Sequence, residues 1–344
     1  MEPTRWLMEN SGPVIRYRTH HELLGEKVSS LETELISSNL VQKWLEYLKP
    51  RFATSQLHSA KPDAYENTIG KLYEFGLRKG MEPLDRAVNP FLEWLKVKGN
   101  PFSQILVAGF LCMTGYSMEE QVDSVVQRRL EIVYEYVKNG DMNDVYIDPE
   151  SIRKIPVNFR GRPILNPNLQ TEYGSMLPSI HDIQAFLHSA AVMNNNSTKV
   201  ERIIEFILSR EYQSLYPDYG VLYEPENRRF YSMGWSLHLT DYFKEHPYNT
   251  AMKKSICVDH SNLLRLNMLS RSRTAKKSDW FKKSLEKLDQ YCSEGLYCFP
   301  RSILRELGSG YWVSGRRMGL EENRRTRSAI TAESTFRMLE IKSR

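Results

Sequence analysis

Apolar residues at three- and four-residue spacing, in stretches cut short by Pro or Gly, recur along this chain and constrain its fold more than any other feature. From Asn39 to Leu48, residues Leu40, Val41, Trp44, Leu45 and Leu48 form one apolar helix face, which Pro50 ends. Thr68 to Leu77 repeats the pattern with Ile69, Leu72, Tyr73 and Phe75 inward, and Leu84 to Val97 does so with Val88, Phe91, Leu92 and Leu95. Pro101 opens a further helix that reaches about Thr114 and stops at Gly115. Ser117-Met-Glu-Glu-Gln reads as an N-terminal cap for a helix running to Val137. Later helices are expected over Ser179 to Val192, Ser197 to Tyr212, Trp235 to Phe243, Ser255 to Ser270 and Ser278 to Cys292. No segment of comparable length alternates with period two, so the fold class is all-α.

Two stretches break the pattern. Residues 140–178 carry Pro149, Pro156, Pro163, Pro167 and Pro178 among Gly140, Gly161 and Gly174, a composition that cannot hold a long helix. They read as a surface connection or as a loop over a cavity. Residues 217–234 form a second irregular insertion. Loops with Gly or Pro beside an aromatic precede several helices, as in Leu57 to Tyr65, Tyr173 to Pro178 and Tyr216 to Tyr223. Helix pairs thus recur at roughly 40–50 residues, and such hairpins bury their apolar faces only by stacking on neighbours. Residues 1–344 read as one helical-repeat domain.

Hydrophobic residues make up 41% and charged residues 26%, the balance of a folded globular chain. A net charge of +5 is too small an excess to favour a nucleic-acid partner. Cys112, Cys257, Cys292 and Cys298 form no CxxC pair and read as free thiols in a reducing, cytoplasmic setting. The start, Met-Glu-Pro-Thr-Arg-Trp, shows no signal peptide, and the longest apolar run, Ile105 to Met113, falls short of the ~20 residues of a membrane span.

The segment from Trp6 to Gly25 joins a Trp-Leu helix, a Pro-Val-Ile-Arg-Tyr-Arg turn and a Leu-Leu-Gly helix end. It resembles the opening of bacterial prenyltransferase-like and squalene-cyclase-like proteins. Glu211 to Gly220 and Tyr231 to Trp235 are similar to that family's glycine-aromatic repeat turns. The resemblance implies an α/α toroid, with inner and outer helices around a central cavity; an open helical solenoid is the alternative. The chain departs from the family where its chemistry lies. It has no Asp-x-Asp-Asp motif for alkene protonation and no Asp-Asp-x-x-Asp motif for magnesium diphosphate. For the zinc ligands of protein prenyltransferases, only Cys257-x-Asp259-His260 comes near, and adjacent helical residues point about 100° apart, so no metal ligand is assigned.

The remaining candidates are single groups. Asp182, beside His181 at an expected helix start, and Asp259 are the candidate acids, with Asp182 equally suited to meet the helix dipole. Glu333 carries the same ambiguity. The 19 Tyr and 6 Trp suit a pocket as well as a core, and Tyr65, Tyr231 and Trp235 are taken as substrate-binding aromatics. Arg301 and Arg316, with Arg16, Arg18, Arg317, Arg324, Arg325 and Arg327, offer guanidinium groups for an anion. Gly308 to Gly315 lacks the spacing of a phosphate loop. The expectation is a cavity that takes an apolar or isoprenoid-like small molecule, with cyclase-like or transferase-like catalysis if any. No cofactor is assigned, and a surface for a partner protein is the alternative.

Overall fold

The computed structural model describes residues 2–97, 99–152, 154–239 and 258–344, the side chains of 258–261 excepted. Helices dominate, as the spacing of apolar residues requires. In chain order they are α1 (Pro3–Asn10), α2 (Pro13–Arg18), α3 (Ser29–Ser37), α4 (Asn39–Tyr47), α5 (Thr54–Leu57), α6 (Tyr65–Glu74), α7 (Glu82–Leu95), α8 (Pro101–Met113) and α9 (Glu120–Asn139). There follow α10 (Ile180–His188), α11 (Ala190–Leu208), α12 (Arg210–Gln213), α13 (Val258–Leu269), α14 (Arg273–Lys277), α15 (Asp279–Asp289) and α16 (Arg327–Ser343). No helix among the described residues is long and apolar enough to cross a membrane.

Burial alternates along this series. Every residue of α6 is buried, as are most of α8, α10 and α16. Helices α7, α9, α11 and α15 bury one face each, for example Leu84, Val88, Phe91, Leu92 and Leu95 of α7. Helix α8 packs chiefly on α10 and α9, α9 on α11, and α16 returns to pack on α1. Gly109 allows the closest of these approaches, since a Cβ there would lie 3.0 Å from the His181 carbonyl oxygen of α10.

A fully buried helix cannot be all apolar here, because α6 and α16 carry Glu66, Asn67, Lys71, Glu74, Glu333, Arg337 and Glu340 inside. Most of these groups are paired, chiefly with charged side chains from other elements, as buried charges must be. Arg18 of α2 meets Glu340 of α16 at 2.6 Å and donates to the Glu74 carbonyl at 2.9 Å. Arg337 pairs with Glu74 at 2.9 Å, and Asn267 of α13 donates to Glu340 at 2.6 Å. Lys71 pairs with Glu306 at 2.6 Å, and Glu333 holds Arg324 at 2.8 Å. Burial alone would raise the Glu340 carboxyl, yet Arg18, Arg344 and Arg337 overcome it and hold it well below the usual carboxylate range.

Element boundaries differ from the expected ones where local chemistry intervenes. The helix expected from Ser117 begins at Glu120, with Glu119 as its cap and no side-chain capping bond. Ser189 ends α10 and caps α11, so the expected helix to Val192 is two helices, and α11 kinks at Asn196. Residues 235–239 are not helical; Trp235 has φ +74°, a left-handed conformation that ends any helix, and the rest of the expected helix lies outside the described residues. The irregular stretches contribute short strands instead: β1 (Tyr146–Ile147), β2 (Ile164–Leu165), β5 (Val221–Glu224) and β6 (Arg229–Ser232) make one sheet in that order. Hairpin β3 (Gln170–Thr171)–β4 (Gly174–Ser175) and a second hairpin, β7 (Cys292–Ser293)–β8 (Leu296–Tyr297), stand apart.

Gly70 of α6 supports the Trp312 indole directly, because a Cβ there would sit 2.7 Å from its ring carbons. Gly70→Ala should therefore cost about 1–3 kcal/mol, the range for overpacking a close-packed interior. Thermal unfolding checks it; an unchanged Tm would mean that the indole moves aside freely.

Candidate functional site

Three potential ligand side chains from distant parts of the sequence converge: His58, Glu66 and His181, whose ligand atoms all lie within 4.8 Å of one another. His58 stands just past α5, on the loop to α6. That loop is strapped to α6 from below: Asn67 Nδ2 donates to the Ser59 and Lys61 carbonyls at 2.8 and 2.7 Å, and Thr68 donates to the Pro62 carbonyl at 3.0 Å. Glu66 is the second residue of α6, where the helix dipole favours a carboxylate. Its side chain is fully buried and contacts His58 Nδ1. The Val313 N–H points at its other oxygen from 3.4 Å.

His181 sits in the first turn of α10, completely buried. That turn is fixed by a capping box in which Ser179 and Asp182 satisfy each other's backbone N–H groups. Asp182 is locked further by Arg129 of α9, whose Nε and Nη2 reach its two oxygens at 2.9 and 3.1 Å. His181 Nδ1 lies 3.3 Å from Gln184 Oε1, while Nε2 is buried without a hydrogen-bond partner among the described residues. Burial pushes the His181 pKa down to about 4, against the pull of nearby Glu66.

Aromatic rings enclose the three groups. The His58 imidazole has Trp235 and Tyr311 each 4.6 Å away, with Phe102 at 5.2 Å. Trp235 and Tyr311 meet at 4.7 Å, and Phe110 lies 6.1 Å from His181. Phe102, Trp235 and Tyr311 are only half-buried, so this side of the cluster reaches solvent. Trp235 holds its place through its backbone: its carbonyl accepts from Ile180 N at 2.7 Å, capping α10, and its N–H donates to Asp218 at 3.2 Å. A bulky residue kept in left-handed backbone conformation is uncommon and costs about 1–3 kcal/mol.

The residues singled out in the sequence fall in several places. Of those whose side chains are described, Trp235 joins the cluster, with His181 beside it. Asp182 spends both oxygens on Arg129 and its cap. Tyr65 is core: it is buried, donates to the Val107 carbonyl at 3.2 Å, and packs on Phe91 at 4.4 Å. Tyr231 is exposed on β6, and Asp259, Cys257 and His260 lie outside the described side chains. Glu333 is buried and neutralised by Arg324, and it also accepts from Leu320 N at 2.7 Å.

The arginines do not assemble into one anion site. Arg18 is consumed by Glu22 and Glu340, and Arg317 by the carbonyls of Gly310, Leu307 and Ala60. Arg301 donates to the Arg324 and Arg325 carbonyls, and Arg316 is half-buried nearby. Arg301, Arg305 and Arg324 do line one surface depression of about 430 Å³. A larger open cleft, about 530 Å³, lies among α7, α8, α9 and Tyr173; none of the cluster residues lines it.

No family model, no curated protein and no solved structure matches this chain. What the site does must be read from its own geometry.

His58 and Glu66 were not singled out in the sequence. One signal was present: Glu66 shares the inward stripe of Ile69 and Tyr73 by its spacing of three and seven. A carboxylate on such a face demands a partner.

Proposed function

We propose that the chain is an α/α toroid that binds a small, largely apolar molecule against the aromatic cluster of Trp235, Tyr311, Phe102 and His58. The toroid reading rests on the alternation of fully buried and one-face-buried helices and on the return of α16 to α1. An isoprenoid-like ligand suits the cluster, since aromatic faces attract developing positive charge. The carrying observation is the enclosure of a buried carboxylate and two imidazoles by rings that remain half-open to solvent. Polar groups few in number and convergent within an apolar surround are what ligand sites present. The ligand is placed at this cluster rather than between α2, α6 and α16, where the ion pairs of Arg18, Glu74, Arg337 and Glu340 fill the space.

Titration with prenyl diphosphates and with fractionated lipid extract, followed by tryptophan fluorescence, tests the proposal. Binding should quench the signal, and Trp235→Ala or Tyr311→Ala should weaken it at least tenfold while circular dichroism stays unchanged. Equal binding by both variants would place the ligand elsewhere, and no binding of any fraction would remove the reading.

A further inference from the structure

We infer that His58, Glu66 and His181 form a binding site for a divalent first-row transition-metal ion. This deepens the preceding reading by setting a metal at the floor of the same aromatic cluster. Its test is metal uptake, which needs no organic ligand, so either idea can fail alone.

Three observations carry it. The first is donor chemistry: two imidazole nitrogens and one carboxylate make a three-ligand set that leaves coordination positions open. The second is the electrostatic position of Glu66. A fully buried carboxylate requires a cation, yet its one ion-pair partner among the described residues is the imidazole of His58. A dication bound there would replace the proton that this contact holds and would supply the missing positive charge.

The third is His181. With Gln184 Oε1 accepting from Nδ1–H, the lone pair lies on Nε2, the buried nitrogen that has no partner among the described residues. A hydrogen bond on one ring nitrogen that fixes the other as donor to a metal is the usual arrangement around histidine ligands. Glu66 has the corresponding support from Val313 N–H. The rings of Trp235 and Tyr311 lie beside these donors, each 4.6 Å from the His58 imidazole.

The intact chain, stripped with a chelator and dialysed, should be titrated with Co²⁺ and then challenged with Zn²⁺. One equivalent of Co²⁺ should bind with visible d–d absorption, and Zn²⁺ should displace it. His58→Ala, Glu66→Gln and His181→Ala should each weaken Co²⁺ binding tenfold or more. His58 lies on a half-buried loop, so His58→Ala keeps the test decisive if the buried substitutions prevent folding. Zn²⁺ should raise the Tm of the parent protein and not that of His58→Ala. Absence of Co²⁺ uptake by the parent protein, or unchanged uptake by folded His58→Ala, overturns the site.

Discussion

Replacing Glu340 by alanine should destabilise the fold by about 3–5 kcal/mol, the cost of leaving buried partner charges uncompensated. The partners are Arg18, itself 1% exposed, and Arg344, which also reaches this carboxylate. Asn267 would lose its acceptor as well. Four separate stretches, α2, α6, α13 and α16, are joined through this point, so the loss is not local. Thermal or urea unfolding of Glu340→Ala beside the exposed control Arg5→Ala measures it. The control should change stability by less than about 0.5 kcal/mol, because surface pairs such as Arg5–Glu9 contribute little. A Glu340→Ala protein as stable as the parent would show that the arginines find water or other acceptors.

The second large effect is acid sensitivity. His181 titrates at about 4 in the fold, and His188 is pushed well below its ordinary value by burial and by Arg271. An unfolded histidine titrates near 6.5, so below that pH the unfolded chain binds protons that the fold refuses. Stability is therefore complete above pH ~6.5 and falls as pH drops toward 4. At ~1.4 kcal/mol per pKa unit, His181 alone accounts for about 3 kcal/mol. Glu340 and Glu22, held low by their arginines, extend the loss below pH ~4.

Glu321 opposes this trend. Burial raises its carboxyl to about 7, despite the hydrogen bond from Gly12 N. Its contribution is present below the unfolded value and is lost as pH rises through 7. Glu321→Gln should accordingly stabilise the protein at pH 8, leave it unchanged at pH 4, and steepen the acid-side loss. Unfolding free energies from pH 4 to 8 for the two proteins decide the matter; parallel curves would contradict the assignment.

Much of the fold was legible in the sequence because helices announce themselves locally. Asn39 to Leu48, Leu84 to Val97 and Pro101 to Thr114 needed only the spacing of their apolar residues and the Pro or Gly beyond. Misplaced ends have local causes too. A serine inside an apolar run, Ser189, ends one helix by capping the next, and periodicity carries no sign of that choice. Residues 140–178 were legible as a non-helical stretch, but the pairing of β2 with β5 across more than fifty residues was not.

The site was legible only in fragments. His181 and Trp235 drew notice for their neighbours, whereas His58 sits in a loop eight residues before Glu66's helix face. The packing of α5, α6 and α10 on the shared helix α8 brings the three ligand groups together. Asp182 looked like a free acid because its partner, Arg129, lies 53 residues away. Convergence across such separations is a property of tertiary packing, which one sequence does not display.

The docking of α16 onto α1 and α2 sets an order of events during synthesis. Leu7, Val14 and Ile15 leave the ribosome more than three hundred residues before the helix that covers them. Until residues 327–343 emerge, those side chains lack their covering helix and the Arg18 guanidinium lacks Glu340. The nascent N-terminal helices must wait, exposed to chaperones or to one another, for a partner made some three hundred residues later.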